Sequence, residues 1–147
     1  MGIKDKLINK TVFIDTAPLI YFIEGHSKYQ DQLLEIFQAN KQGQINFVTS
    51  TLTLLEVLVQ PIRLKRQDLV DKYEQILTTS PNIDIYDIDI ETSMRAAQIR
   101  ADYHLRTPDS IQIATGIVNG ATMFLTNDSE LKRVTEIEVL TLSKNKT

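Results

Sequence analysis

Cysteine is absent from this chain of 147 residues, which excludes disulfides, thiolate metal sites and cysteine nucleophiles. Histidine is scarce. His26 and His104 are the two present, and they lie far apart at no ligand spacing, which argues against a histidine-rich zinc site. Any metal would therefore be held by oxygen. Long apolar runs are missing too: Leu19 to Ile23 is far too short to span a bilayer, and the polar opening lacks the apolar core of a signal peptide, so a cytoplasmic protein without membrane association is expected. There is no excess of positive charge, since 16 Lys and Arg face 19 Asp and Glu for a formal net charge of -3. Composition alone makes no electrostatic case for a nucleic-acid ligand.

What is present describes a globular chain, 42% hydrophobic and 24% charged. The length suits one domain over 1–147, with 1–10 and 143–147 as peripheral tails. No internal repeat, low-complexity segment or linker interrupts it. Compact apolar runs at 11–14, 45–48, 83–87, 123–125 and 137–142 read as strands. Between them lie helical patterns: a short one after Pro18, one reaching Asn40, and one over 51–62 that is apolar nearly all round and so expected to be buried. Further helices are expected over 67–77, over 89–103 with Met94, Ala97, Ile99 and Ala101 on or near its inner face, up to Gly120, and briefly over 128–134. Strands alternating with helices imply an α/β fold, a mostly parallel sheet of about five strands sandwiched between helices.

The stretch Arg106-Thr107-Pro108-Asp109-Ser110-Ile111-Gln112-Ile113-Ala114-Thr115-Gly116 organises the reading. Thr107 suits a helix cap and Pro108 a first helical position, with Ile111, Ala114 and Val118 following at helical spacing. Asp109 then sits in the first turn, where backbone N–H groups and the helix dipole favour a carboxylate. Starting the helix is by itself a sufficient reason for an acid there.

Asp109 has company. Asp15 follows the first strand, Glu56 lies in the helix after the second, and Asp128 follows the fourth. In an open parallel sheet ligands bind outside the carboxyl ends of the strands, so all four acids can reach one edge. Helix caps gather at that same edge: Asp15 or Thr16 suits one, Thr53 with Glu56 a second, and Asn127 with Glu130 around Asp128 a third. Two details favour a site. Glu56 stands more than a turn inside an apolar helix, where an unpaired charge is costly, and the basic residue nearest in sequence to any of the four is Arg106. A carboxylate cluster without cations raises its own pKa values or binds a hard metal such as magnesium or manganese. With four acids neutralised, 19 − 4 = 15 acids face 16 basic residues, and a polyanionic ligand is no longer disfavoured. Scattered caps and a metal site both remain open on these grounds.

Phe13-Ile14-Asp15-Thr16-Ala17-Pro18-Leu19-Ile20-Tyr21-Phe22, Leu54-Leu55-Glu56-Val57, the Arg106 to Ala114 stretch and Phe124-Leu125-Thr126-Asn127-Asp128 together resemble a PIN domain, in that family's order and spacing over nearly the whole chain. Small single-domain proteins of this kind are similar to the VapC toxins of toxin–antitoxin pairs. The resemblance implies a ribonuclease dependent on Mg2+ or Mn2+, with Asp15, Glu56, Asp109 and Asp128 as metal-binding catalytic acids and Thr126 as a supporting hydroxyl. Glu130 and Thr16 are auxiliary candidates. Many relatives carry Asn or Ser where Ala17 stands, which removes a polar support but no ligand. The resemblance further implies an RNA substrate, a small antitoxin partner and a homodimer, with the hydrophobic early helices contributing to both protein contacts.

Arg63, Lys65 and Arg66 form the densest basic cluster and could meet RNA phosphates, though a solvated loop after a helix explains them better. Tyr21, Phe22 and Tyr29 are candidate stacking surfaces or core. A non-catalytic PIN scaffold is one rival reading. A receiver-like signalling domain is another, but it calls for adjacent acids after the first strand and a lysine after a later one; here Thr16 follows Asp15 and no lysine ends 123–125.

Overall fold

The computed structural model describes residues 2–145; Met1 and residues 146–147 of the expected tails lie outside them. The strands are β1 (Thr11–Ile14), β2 (Asn46–Ser50), β3 (Ile83–Tyr86), β4 (Met123–Thr126) and β5 (Glu138–Thr141). They form one sheet in the order β3-β2-β1-β4-β5, every pair parallel. The near-continuous apolar sequences of the central β1 and β4 suit strands covered on both faces. The helices are α1 (Ile3–Leu7), α2 (Thr16–Glu24), α3 (Gln30–Lys41), α4 (Thr51–Arg63), α5 (Gln67–Thr79), α6 (Ile90–Tyr103) and α7 (Thr107–Val118). A 3-10 turn over Ser129–Arg133 stands where a short helix was expected. No helix among the described residues is long and apolar enough to cross a membrane.

Alternation along β1 divides the core. Val12 and Ile14 join Leu19, Leu33, Phe47, Val57 and Tyr73 on the face covered by α1 to α5. Phe13 points the other way, to Val48, Ile99, Ile113 and Phe124 under α6 and α7, and its ring stacks on Phe124 at 5.0 Å. The strand order runs outward from β1 through β2 to β3, then reverses through β4 to β5. The switch point therefore lies between β1 and β4, and the crevice beyond their carboxyl ends is where this topology binds ligands.

Several helical faces differ from the expectation. α4 is not buried all round: Thr53, Val57 and Pro61 face inward, while Leu55, Val59 and Ile62 lie exposed. Apolar composition cannot separate a core helix from one whose outer stripe awaits a cover. Pro61 stays inside α4, and the break comes after it, at Lys65 with φ +55°. On α6 the inner residues are Thr92, Ala96 and Ile99; Met94 is 71% exposed and Ala97 and Ala101 also face out. α7 is buried through Ser110, Gln112, Ile113, Ala114, Thr115 and Gly116, leaving Ile111 and Val118 half-buried, because it lies between the sheet and α6. Both ends of the described segment are tied down as well. Leu7 of α1 is fully buried, and the Ser143 N–H donates to Gln32 Oε1 at 2.8 Å while Asn145 Nδ2 donates to the Ser27 carbonyl at 2.7 Å.

α7 approaches the sheet closely through Gly116, where an added β-carbon would lie 3.1 Å from Cβ of Phe13 and 3.4 Å from Cδ1 of Ile137. Gly116→Leu is accordingly expected to lower the unfolding free energy by about 2 kcal/mol or more through overpacking, measured by urea denaturation; an unchanged midpoint would contradict this packing.

Candidate active site

Each acid owes its place to a local rule. Asp15 follows β1 as the N-cap of α2: its backbone N–H extends the ladder to the Leu125 carbonyl at 2.9 Å, and its Oδ1 accepts from the Thr16 N–H at 2.9 Å. Asp128 likewise caps the 3-10 turn, accepting from the Glu130 N–H at 3.0 Å. Asp109 lies in the first turn of α7, but Thr107 is not its cap; Arg106 holds that position without a side-chain cap bond. Glu56 is no capping residue either. Ser50 caps α4, accepting from the Thr53 N–H at 3.2 Å, which leaves Glu56 a turn further on, half-buried beside exposed Leu55 rather than deep in apolar surroundings.

The fold brings the four acids to the crevice between β1 and β4. Oδ2 of Asp15 accepts from the Thr126 hydroxyl at 2.8 Å, and the same hydroxyl oxygen accepts from the Asp128 N–H at 3.2 Å. Thr126, buried at the end of β4, thus joins two acids through one oxygen. Thr16 serves a third: its hydroxyl donates to Glu56 Oε1 at 2.6 Å. The Asp15 carboxyl is pushed up from its ordinary 3.8 to about 6, chiefly by burial, against the lowering effect of the Thr126 and Thr16 hydrogen bonds and with the charges of Asp109 and Glu56 adding to the rise. Charge on charge of this kind marks a shared site.

Arg106 modifies the expectation of a cluster without cations. Its guanidinium pairs with Asp109 at 3.1 Å, the arginine side chain 77% and the aspartate 18% exposed. That contact pushes the Arg106 pKa up, with smaller contributions from the charges of Asp128 and Glu56. One exposed cation therefore faces three of the four carboxylates, Asp109, Asp128 and Glu56. Among the described residues no three acidic or histidine side chains stand close enough as they are to hold a metal ion: Thr16 holds Glu56, Arg106 holds Asp109, and Asp128 is turned to its own backbone. In donor type and in uncompensated charge the group nevertheless suits a hard divalent cation, which takes oxygen ligands.

The other candidates are placed less centrally. Glu130 is exposed, linked to the site by its backbone alone. Arg63, Lys65 and Arg66 lie at the far end of α4, 13 residues long and so about 20 Å from its start; Arg66 is engaged by Asp68 at 2.8 Å. Tyr21 stacks on Tyr29 and its hydroxyl accepts from Asn127 Nδ2 at 3.2 Å, tying α2 to the turn that carries Asp128. Phe22 is packed face to face on Phe37. Sequence reasoning missed the buried polar group beneath the acids, formed by Thr49, Ser50, Thr53 and Gln112. A glutamine between Ile111 and Ile113 in a buried helix was the available signal.

A family model for the PIN domain matches residues 12–137. Among solved structures, the chain is similar to the VapBC2 complex of Rickettsia felis bound to a DNA fragment from its promoter, with a TM-score of 0.73 at 14% identity over 90% of this chain and 99% of that one. It is similar also to a toxin–antitoxin complex from Klebsiella pneumoniae, with a TM-score of 0.64 at 23% identity over 86% and 98% of the two chains. DNA-bound VapBC from Salmonella typhimurium gives 0.66 at 17% identity over 90% and 98%. At these identities the likeness is one of fold. No curated protein matches the chain by sequence.

The raised Asp15 pKa makes the metal-free protein sensitive to pH. Between about 4 and 6 the folded state retains a proton that the unfolded chain releases, so stability falls as pH rises through this window and the full cost persists above it. A rise from 3.8 to about 6 corresponds to a cost on the order of 3 kcal/mol. Asp15→Asn is expected to remove that slope and to be the more stable protein at pH 7 in EDTA, followed by urea denaturation across pH; parallel curves for the two proteins would contradict the shift.

Proposed function

Because the chain belongs to the PIN-domain family, we propose that it is a metal-dependent endoribonuclease and the toxin of a toxin–antitoxin pair. The observation that carries the reading is the gathering of four acids at the switch-point crevice, where burial and the charges of Asp109 and Glu56 hold the Asp15 carboxyl at about 6. Asp15 and Asp109 are assigned as direct ligands of Mg2+ or Mn2+, and Glu56 and Asp128 complete the shell directly or through water. A divalent cation held there would supply a water of lowered pKa and offset charge on the phosphate. The chain's own part is to hold the carboxylates in place: Thr126 orients Asp15 and fixes the Asp128 backbone, while Thr16 orients Glu56. Arg106, exposed beside Asp109, would be placed to meet a phosphate oxygen of the substrate.

An antitoxin is the proposed protein partner, supported by the similar fold of chains from toxin–antitoxin complexes. The exposed stripe of Leu55, Val59 and Ile62 on α4 has the spacing that receives an amphipathic segment, and a homodimer is proposed beside it from the family likeness alone.

Cleavage of structured RNA in Mn2+, Mg2+ or EDTA tests the enzyme. EDTA should abolish it, and Asp109→Asn should reduce the rate at least about a hundredfold with an unchanged circular dichroism spectrum. Full activity in a folded Asp109→Asn protein sinks the assignment, and no cleavage of any RNA by the parent chain favours a binding scaffold. For the partner, Leu55→Asp combined with Ile62→Asp should weaken capture of the product of an adjacent small reading frame about tenfold or more without changing RNA cleavage; unaltered capture would place the antitoxin elsewhere.

A further inference from the structure

Beneath the acids lies a buried polar network that no part of the mechanism above uses. Gln112 of α7 is 2% exposed in a helix otherwise packed by apolar and small residues. Its Oε1 accepts from the Ser50 hydroxyl, and its Nε2 donates to Thr53 Oγ1 at 2.7 Å. The Thr53 and Thr49 hydroxyl oxygens are 2.9 Å apart, and Thr49 donates onward to the Ile14 carbonyl at 3.1 Å. That carbonyl belongs to the peptide whose N–H is Asp15's own, bound to Leu125 at 2.9 Å on the other side. The peptide leading into Asp15 is thus held at both ends.

The network touches every element that carries one of three acids. Gln112 is one helical turn past Asp109, Thr53 is one turn before Glu56, and Ile14 directly precedes Asp15. α7, α4 and β1 meet nowhere else through side-chain hydrogen bonds among the described residues. We infer that Gln112 is a positioning residue that sets, through Ser50, Thr53 and Thr49, the mutual placement of Asp109, Glu56 and Asp15 for a divalent cation. A purely apolar core would hold the three elements together but would leave helix rotation and sliding less sharply defined, whereas hydrogen bonds at fixed length and angle define both. This inference rests on the metal-site reading above.

A structural role alone also predicts lost stability on mutation, so the test separates stability from cation affinity. Binding of Mn2+ to the full chain is titrated by the electron paramagnetic resonance signal of the free ion, with thermal unfolding measured on the same samples. Gln112→Leu removes both amide bonds, leaving the Ser50 hydroxyl proton without its acceptor and Thr53 Oγ1 without the amide donor, so its melting temperature should fall. Adding Thr53→Val replaces a second polar partner by an apolar group of similar shape, which should return most of the melting temperature and keeps the question answerable where the single variant folds poorly. Positioning predicts that Mn2+ affinity falls about tenfold in Gln112→Leu and stays low in the stabilised double variant. Affinity that returns together with the melting temperature, or that never changes, overturns the inference while the metal site stands. Failure of the parent chain to bind Mn2+ any better than Asp109→Asn would overturn the metal reading itself, and this inference with it.

Discussion

The structure around the crevice depends on keeping a carboxylate, Asp15, at the end of a fully buried strand. Val12, Phe13 and Ile14 are wholly enclosed, so the residue after them emerges where water is scarce and where Asp109 and Glu56 add like charge. Withdrawal from water and repulsion both oppose ionisation. Two hydrogen bonds, from Thr16 and Thr126, act in the other direction and do not cancel the effect. A residue kept at such a cost in a fold of only marginal net stability points to a ligand that relieves it.

Capping and chemistry are combined in these residues. Asp15 and Asp128 do cap their helical turns, as simple capping rules anticipate, and the capping bonds fix the very carboxylates that converge. Each cap engages Oδ1; in Asp15 the other oxygen is bound by Thr126. Glu56 has no such local reason to exist. It lies past the Ser50 cap, half-buried, with Thr16 from another element as its partner, and is therefore the acid that capping explains least.

Much of this was legible because strand ends and acids coincide in sequence. β1, β4 and the acids following them are short-range patterns, and the parallel order confines their ligands to one edge. What stayed hidden depends on tertiary placement. Leu55, Val59 and Ile62 read as core because apolar side chains look alike whether covered or not, and Met94 and Ala97 were assigned to a face rotated from the one that Thr92, Ala96 and Ile99 bury. Arg106 was visible as a neighbour of Asp109, yet only three-dimensional proximity shows that Glu56 and Asp128 also act on it. Gln112 was within the central stretch from the start, but its partners lie about 60 residues away, 62 for Ser50 and 59 for Thr53, beyond the reach of any periodicity.

Under-compensated carboxylates at the β1 to β4 crevice are proposed to bind a divalent cation. The most direct measurement is the anomalous diffraction of crystals grown with Mn2+, recorded at the manganese absorption edge. A peak within coordination distance of Asp15 and Asp109 is the predicted result. Fully occupied Mn2+ sites elsewhere on the chain, with none between these two acids, would contradict it.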